Sequence, residues 1–239
     1  MRVNNDIKIS VVTVCYNAEK TIEATIKSVL NQSYCNVEYI IIDGGSTDGT
    51  IEIIKKYSDK VTYWISEPDN GIYDAMNKGI SMALGDFILF IGSDDTIFDC
   101  NVLLNVANFI GNNRNSVFYG DVILSPKDIR YAGRFSKWTL VQKNICHQAI
   151  FYPTDILKNN LYDLRYRSFS DYNENMILWG KGIPYTYMPL IISKFKTGGV
   201  SAKGDEEFET QRGRIIRNSL GLTAYIYYLL RRCCSNIIK

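Results

Sequence analysis

The chain predicts an α/β fold built on a mainly parallel sheet. Three observations carry this. Short β-branched or aromatic runs recur at 8–15, 37–43, 61–66 and 86–91; an apolar helical stripe follows each of the first three; and turn residues mark the boundaries. Strands separated by helices of about ten residues form right-handed crossover units, which place the strands parallel.

Lys8–Cys15 (KISVVTVC) reads as a buried strand, and Ile22, Ile26, Val29 and Leu30 then fall on one helical face. Val37–Asp43 (VEYIIID) is a second strand, ending in the turn-rich run Gly44–Gly49, after which Ile51 and Ile54 open a second helix. Asp48, just before that helix, reads as a helix cap. Val61–Ser66 is a third strand, and Ile72, Ala75, Met76, Ile80 and Ala83 line the next helix. Gly85 is expected to close that helix with a positive φ. Asp86–Ile91 (DFILFI) is a fourth strand, running into Gly92-Ser93-Asp94-Asp95. Ligands of such sheets collect beyond the carboxyl ends of the strands. Those ends carry Tyr16, Asp43, Glu67-Pro68-Asp69 and Asp94-Asp95. Ionised carboxylates are rarely buried unpaired, so Asp43 and Asp94 are candidates for a site.

With 239 residues, 46% of them hydrophobic and 22% charged, the chain can bury one sizeable core. The balance of 27 basic against 25 acidic residues, a net +2, argues against wholesale nucleic-acid binding. No run approaches the ~20 apolar residues needed to span a bilayer. Met1–Asp6 is polar, without the apolar core of a signal peptide, so the expected location is cytoplasmic. The cysteines at 15, 35, 100, 146, 233 and 234 have no metal-binding spacing and are expected to be small buried hydrophobes.

No dinucleotide fingerprint, P-loop or nucleophile elbow is present. A nucleotide bound here would need another means of neutralising its phosphates. Carboxylates holding Mg2+ or Mn2+ would serve, because these ions take one or two protein carboxylates plus phosphate oxygens.

Four segments then carry a resemblance: Ser10–Asn17 (SVVTVCYN), Glu38–Thr50 (EYIIIDGGSTDGT), Asn70–Gly79 (NGIYDAMNKG) and Ala83–Asp95 (ALGDFILFIGSDD). In this order and spacing the chain resembles the family-2 glycosyltransferases of the GT-A fold, nucleotide-sugar-dependent enzymes. Ser66–Gly79 looks most like bacterial enzymes that build O-antigen, capsule or exopolysaccharide. The resemblance implies a catalytic domain over 1–209, with a nucleotide-binding half over about 7–125 and an acceptor half over about 126–209. It implies that Val14 and Tyr16 border the base and that Asp43 accepts a hydrogen bond from it. A base with an imide N–H, and hence a UDP-sugar, would suit that contact. Asp74, Asn77 and Ser93 would lie on the nucleotide side. Asp94 would be the metal ligand that ends the family's Asp-x-Asp, whose first acid is replaced here by Gly92. Asp95 would share the metal shell or cap the next segment.

The family's general base corresponds to Asp171 in Ser170-Asp171-Tyr172, with Asp155, Asp163 and Glu174 as rivals. A sugar hydroxyl has a pKa far above 7, so a positioned carboxylate must take its proton as the new bond forms. Base and leaving group on opposite faces imply inversion. His147, the only histidine, would act at the diphosphate or the acceptor, or serve as a hydrogen-bonded structural residue. The Gln-x-x-Arg-Trp of processive members is absent, which implies one sugar per acceptor. A nucleotidyltransferase, and a non-catalytic nucleotide-sugar-binding or scaffold protein on the same fold, are the alternative readings.

Beyond Glu209 there are no acids, and five arginines with Lys239 give the tail +6. At about 100° per residue, Ile215, Ile216, Leu220, Leu222, Ile226, Tyr227, Leu229 and Leu230 share one face of a single helix. Arg214, Arg217, Tyr225, Tyr228 and Arg232 share the other. Residues 210–239 are therefore expected to form a basic amphipathic helix, held on the inner face of an anionic cytoplasmic membrane where a lipid-linked saccharide acceptor would lie. Packing of that helix on the domain is the alternative.

Overall fold

The computed structural model describes residues 7–131, 133–199 and 204–237. In chain order the elements are β1 (Ile9–Cys15), α1 (Ile22–Leu30), β2 (Val37–Asp43), α2 (Thr50–Lys56), β3 (Tyr63–Ser66), α3 (Ile72–Met82), β4 (Phe87–Gly92), β5 (Thr96–Ile97), α4 (Val102–Ile110), β6 (Val117–Ser125), β7 (Ile129–Tyr131), α5 (Lys137–Gln142), a 3-10 turn (His147–Ala149), β8 (Ile150–Pro153), α6 (Thr154–Lys158), α7 (Ser170–Gly180), β9 (Tyr185–Lys196), α8 (Glu206–Leu220) and α9 (Leu222–Ile237). The strands form one sheet in the order β3-β2-β1-β4-β8-β6-β9-β5, with β7 paired to β6. β3, β2, β1 and β4 are parallel, whereas β8 runs antiparallel to both β4 and β6.

The register explains why a site forms. Cys15 pairs with Asp43, Asp43 with Ser66 and Val14 with Gly92. The four parallel strands therefore end level, and the loops after them open at one edge. β1, β2 and β4 are buried on both faces, as a parallel sheet covered by helices requires, while β3 at the sheet edge is only half-buried. Val12, Ile40 and Ile88 pack against Met76 and Ile80 of α3 and Met176 of α7; Val11, Ile41 and Leu89 pack in a second core with α1, α2 and α4.

Gly85 differs from expectation. α3 ends at Met82, Ala83 is extended, and Gly85 is not among the positive-φ glycines. Its need is steric: a Cβ there would lie 2.7 Å from the Lys8 carbonyl and 2.8 Å from the Ser10 amide. Four of the six cysteines (35, 100, 233 and 234) are exposed rather than buried.

The tail also departs from a single helix. Gly221, at φ +87, divides it into α8 and α9, so the apolar periodicity does not continue in phase. Phe208, Ile215, Ile216 and Leu220 of α8 are buried in the core against α7. Gly180 permits that approach, since a Cβ there would overlap the Ser219 carbonyl. Arg212 is spent inward: it pairs with Glu209 at 2.9 Å and donates to the Val141 carbonyl and the Tyr172 hydroxyl. On α9, Ala224 is buried and Tyr225, Tyr227 and Tyr228 lean on the core, while Leu222, Ile226, Leu229 and Leu230 are exposed. No helix of the described residues is long and apolar enough to cross a membrane.

Candidate active site

At the open edge, Tyr16 stands just past β1 and is 62% exposed, a free ring face at the mouth of the strands. The bend beneath it uses Asn17 at φ +48, a conformation Asn tolerates better than most residues. Its amide donates to Ser46 Oγ at 2.7 Å, and its side-chain oxygen accepts from the Thr47 amide at 2.9 Å. Val14 lies one residue inside the strand, in the core on the α3 side. Asp48 accepts from the Thr50 amide at 3.0 Å where α2 begins, but it stands one residue before the N-cap, which is Gly49 and not Asp48.

Asp43, expected to accept a hydrogen bond from the base, is engaged by its own loop. It is fully buried, and its carboxylate accepts from the Gly45 and Ser46 amides at 3.2 and 2.9 Å and from the hydroxyls of Ser46 and Ser66 at 2.5 and 2.6 Å. It holds the β2 loop closed. The acid that does reach the edge is Asp69, half-buried in the loop after β3. A Cβ on Gly44 would overlap Asp69 Oδ2, so this carboxylate occupies the space that a residue-44 side chain would fill. The other oxygen, Oδ1, accepts from the Gly71 amide at 2.8 Å.

Asn77 is likewise committed to the fold. Its amide side chain makes a reciprocal pair with the Tyr162 backbone, both bonds 2.9 Å, tying α3 to the segment before α7. Asp74 accepts from the Asn70 amide at 2.9 Å and fixes the entry to α3.

After β4, Ser93 is half-buried and Asp94 is exposed, with no hydrogen-bond or ion-pair partner among the described residues. Asp95 points inward at 1% exposure, accepting from Gln148 Nε2 at 2.8 Å and the Lys196 amide at 2.9 Å. Burial pushes its carboxyl up to about 6. Asp95, expected to share the metal shell or cap the next segment, is a strut joining the end of β4 to the 3-10 turn and β9, with both carboxylate oxygens already accepting hydrogen bonds. A Cβ on Gly92 would sit 2.7 Å from Asp95 Oδ2, which accounts for a glycine where an acid was expected. No group of three or more metal-ligating side chains occurs among the described residues. The donor set fits an ion shared between one carboxylate, Asp94, and the phosphates of a ligand, not an all-protein cage.

Asp171 lies in the first turn of α7, two residues past its N-cap Phe169, and is 5% exposed. Oδ1 accepts from the Tyr73 hydroxyl at 2.7 Å and the Tyr172 amide at 2.9 Å; Oδ2 accepts from Asn144 Nδ2 at 2.9 Å and lies 3.2 Å from His147 Nδ1. Burial, and then the Asp171 charge, hold the Tyr73 phenol well above its ordinary value, so it stays a donor. Neither Tyr73 nor Asn144 stands out as a site residue in the sequence, although Tyr73 lies inside the NGIYDAMNKG motif. His147 precedes Gln148, so the single 3-10 turn reaches Asp171 with one side chain and Asp95 with the next. Of the rivals, Asp163 pairs with Arg165 at the surface and Asp155 heads α6.

Glu174 is buried one turn after Asp171, with Oε1 unpartnered, and burial pushes it up to about 7. The unfolded chain sheds this proton near pH 4.5, the folded chain only near 7. Folding therefore binds a proton across that window, and stability falls as pH rises from 4.5 to 7. Glu174→Gln is expected to melt higher than wild type at pH 8, by a margin on the order of 2–3 kcal/mol, and to match it at pH 4. Thermal melts at both pH values check this; equal pH dependence in the two proteins refutes it.

Comparison with known proteins identifies the family and the fold. Residues 10–185 match Glycosyl transferase family 2. A "PGL/p-HBAD biosynthesis glycosyltransferase" of Mycobacterium bovis is 34% identical over 200 residues, covering 80% of this chain and 78% of the relative. Among solved structures, S. aureus TarS 1-349 in complex with UDP aligns with TM-score 0.68 at 21% identity, covering 90% of this chain and 71% of that one. The mannosyltransferase PcManGT of Pyrobaculum calidifontis, in complex with GDP-Man and Mn2+, aligns with TM-score 0.67 at 14% identity, covering 88% and 62%. At those identities the structural matches speak to the fold, while the sequence matches settle the family: the chain belongs to glycosyl transferase family 2 and is a glycosyltransferase.

Proposed function

We propose that the protein is an inverting, metal-dependent, non-processive glycosyltransferase that moves one sugar from a nucleoside-diphosphate sugar to a lipid-linked saccharide in cell-surface polysaccharide or glycolipid assembly. The observation that carries this reading is the placement of two carboxylates, Asp94 and Asp171, related through Asp95, whose partner Gln148 follows His147 on one 3-10 turn. Asp94 stands free beyond β4, while Asp171 is held by Tyr73, Asn144 and His147, on the same 3-10 turn that anchors Asp95. In this reading Asp171 takes the proton of the acceptor hydroxyl, and Tyr73 and Asn144 aim its oxygens. His147 sits on the diphosphate or acceptor side. Asp94 is the protein ligand for Mn2+ or Mg2+, which when bound offsets the charge growing on the diphosphate.

The nucleotide lies over the edge of β1, β2 and β4, with the base against Tyr16 and Val14. Asp43 is closed into its own loop, so Asp69 is the acid available to an imide N–H, which favours a UDP-sugar. The exposed stripe of α9, with Arg231 and Arg232 exposed beside it, supports peripheral contact with an anionic membrane on the cytoplasmic side.

A panel of UDP-, GDP-, dTDP- and CDP-sugars with Mn2+ and lipid-linked acceptors, read by release of nucleoside diphosphate, tests the reading. One imide-bearing donor is expected to be consumed, and its advantage over its CDP counterpart should be lost in Asp69→Ala. Consumption of none refutes the proposal. In the same study, Ile226→Glu with Leu230→Glu should abolish co-sedimentation with anionic vesicles; unchanged sedimentation would remove α9 as the contact.

A further inference from the structure

A cavity of about 340 Å3 is lined by Asp121, Arg130, Tyr131, Gly133, Lys143 and Tyr187. Nothing in the donor chemistry uses it. One wall is shared with the Asp171 network: the Tyr131 hydroxyl donates to the Asn144 carbonyl at 2.7 Å, and the Asn144 side chain donates to Asp171. Lys143 is the residue before Asn144, so the cavity and the carboxylate are served by consecutive positions of one segment.

The charges in and beside the cavity are unevenly matched: Asp121, Arg130 and Lys143 line it, and Arg134 adjoins it over the Tyr187 ring. Asp121 is buried and its charge is taken up by Arg130, whose Nε and Nη2 lie 2.7 and 2.6 Å from Oδ2. The Gly133 amide and the Tyr187 hydroxyl also donate to this carboxylate, each at 2.8 Å. Lys143 and Arg134 have no acidic partner among the described residues. They are held instead by ring faces: Lys143 Nζ lies 4.4 Å from the Tyr131 ring centre and 5.3 Å from that of Phe135, and the Arg134 guanidinium lies 5.6 Å over Tyr187. A cation fixed on an aromatic face keeps its N–H donors unspent, so both are positioned for an anion rather than neutralised by one.

We propose that this cavity is an oxyanion subsite for the acceptor: Lys143 and Arg134 hold a phosphate or carboxylate carried by the acceptor saccharide while its reacting hydroxyl rests on Asp171. The proposal rests on the reading of Asp171 as the base. The oxyanion has two possible sources, the phosphate joining the saccharide to its lipid or an acidic sugar in the saccharide itself.

Amide 1H–15N spectra of the whole chain, without divalent metal, test it with three probes: methyl phosphate, methyl glucuronide and neutral methyl glucoside. At least one anion is expected to shift the Gly133 and Lys143 amides saturably, at concentrations where the glucoside leaves them unmoved. A response to phosphate alone identifies the lipid linkage as the source; a response to glucuronide alone identifies an acidic sugar. Lys143→Met with Arg134→Gln keeps most of the stems that cover the rings and should weaken the anion about tenfold or more, as loss of charge-assisted bonds does. UDP affinity with Mn2+ should stay unchanged in that variant. The proposal is overturned if no anion shifts these amides, if the glucoside shifts them equally, or if the double variant binds as tightly. The comparison of charged with neutral probes in wild type stands even if the variant folds poorly. Failure of the donor reading shows separately, as absence of UDP binding with the anion response intact.

Discussion

Asp171→Asn is expected to lower kcat by about 10²–10⁴-fold, the range for loss of a positioned general base, while leaving the affinity for nucleoside diphosphate unchanged. The side chain is isosteric, and Asp171 lies on α7, away from the β1 and β2 loops assigned to the base. The structure adds a cost. Asp171 accepts from Tyr73, the Tyr172 amide and Asn144, whereas an amide side chain presents one accepting atom and one donor. One of these donors then loses its acceptor, so a lower melting temperature should accompany the kinetic loss, about 1–3 kcal/mol in stability. Turnover and nucleotide titration of the purified variant check the prediction. Unchanged turnover would remove Asp171 as the base; loss of nucleotide binding would mean its role is structural.

Asp94→Ala should lose the enhancement of nucleotide binding by Mn2+, bringing affinity down to its metal-free level, a drop of at least tenfold, with no change in melting temperature. The reasoning is geometric. Asp94 is exposed and unpartnered among the described residues, so removing its carboxylate breaks nothing within the fold. Asp95→Ala should do the opposite. It would strip the acceptor from Gln148 and the Lys196 amide in a buried site, and so cost stability first. Titration of UDP with and without Mn2+, alongside thermal melts of both variants, separates the two acids. If Asp94→Ala retained the Mn2+ enhancement, the ion would be held elsewhere.

The two acids also show what the sequence could and could not disclose. The strand runs and helical stripes up to residue 92 place the first four parallel strands and three helices within a few residues, because burial on both faces imposes a continuous apolar run. The position of each acid at a strand end was equally legible. Its direction was not. Asp43 turns into a nest of loop donors, Asp95 turns inward to Gln148 and Asn77 closes on Tyr162, since each finds partners that no local pattern announces. The roles of Asp69, itself legible as a strand-end acid, and of Tyr73 were hidden for the complementary reason. Asp69 matters because of the side chain that Gly44 lacks, and Tyr73 because of a carboxylate 98 residues away. In the tail, a regular apolar period runs straight across Gly221, and only the break in the backbone reveals that α8 buries its apolar residues while α9 exposes them.

The central claim is that a carboxylate on α7 drives in-line displacement of the nucleoside diphosphate by an acceptor hydroxyl. The anomeric configuration of the product tests it most directly. With an α-linked nucleotide sugar, the proton NMR spectrum of the newly formed glycoside should show the β configuration in the first turnovers, before any equilibration. An α-linked product would mean that configuration is retained, and would contradict Asp171 as a base acting in a single displacement.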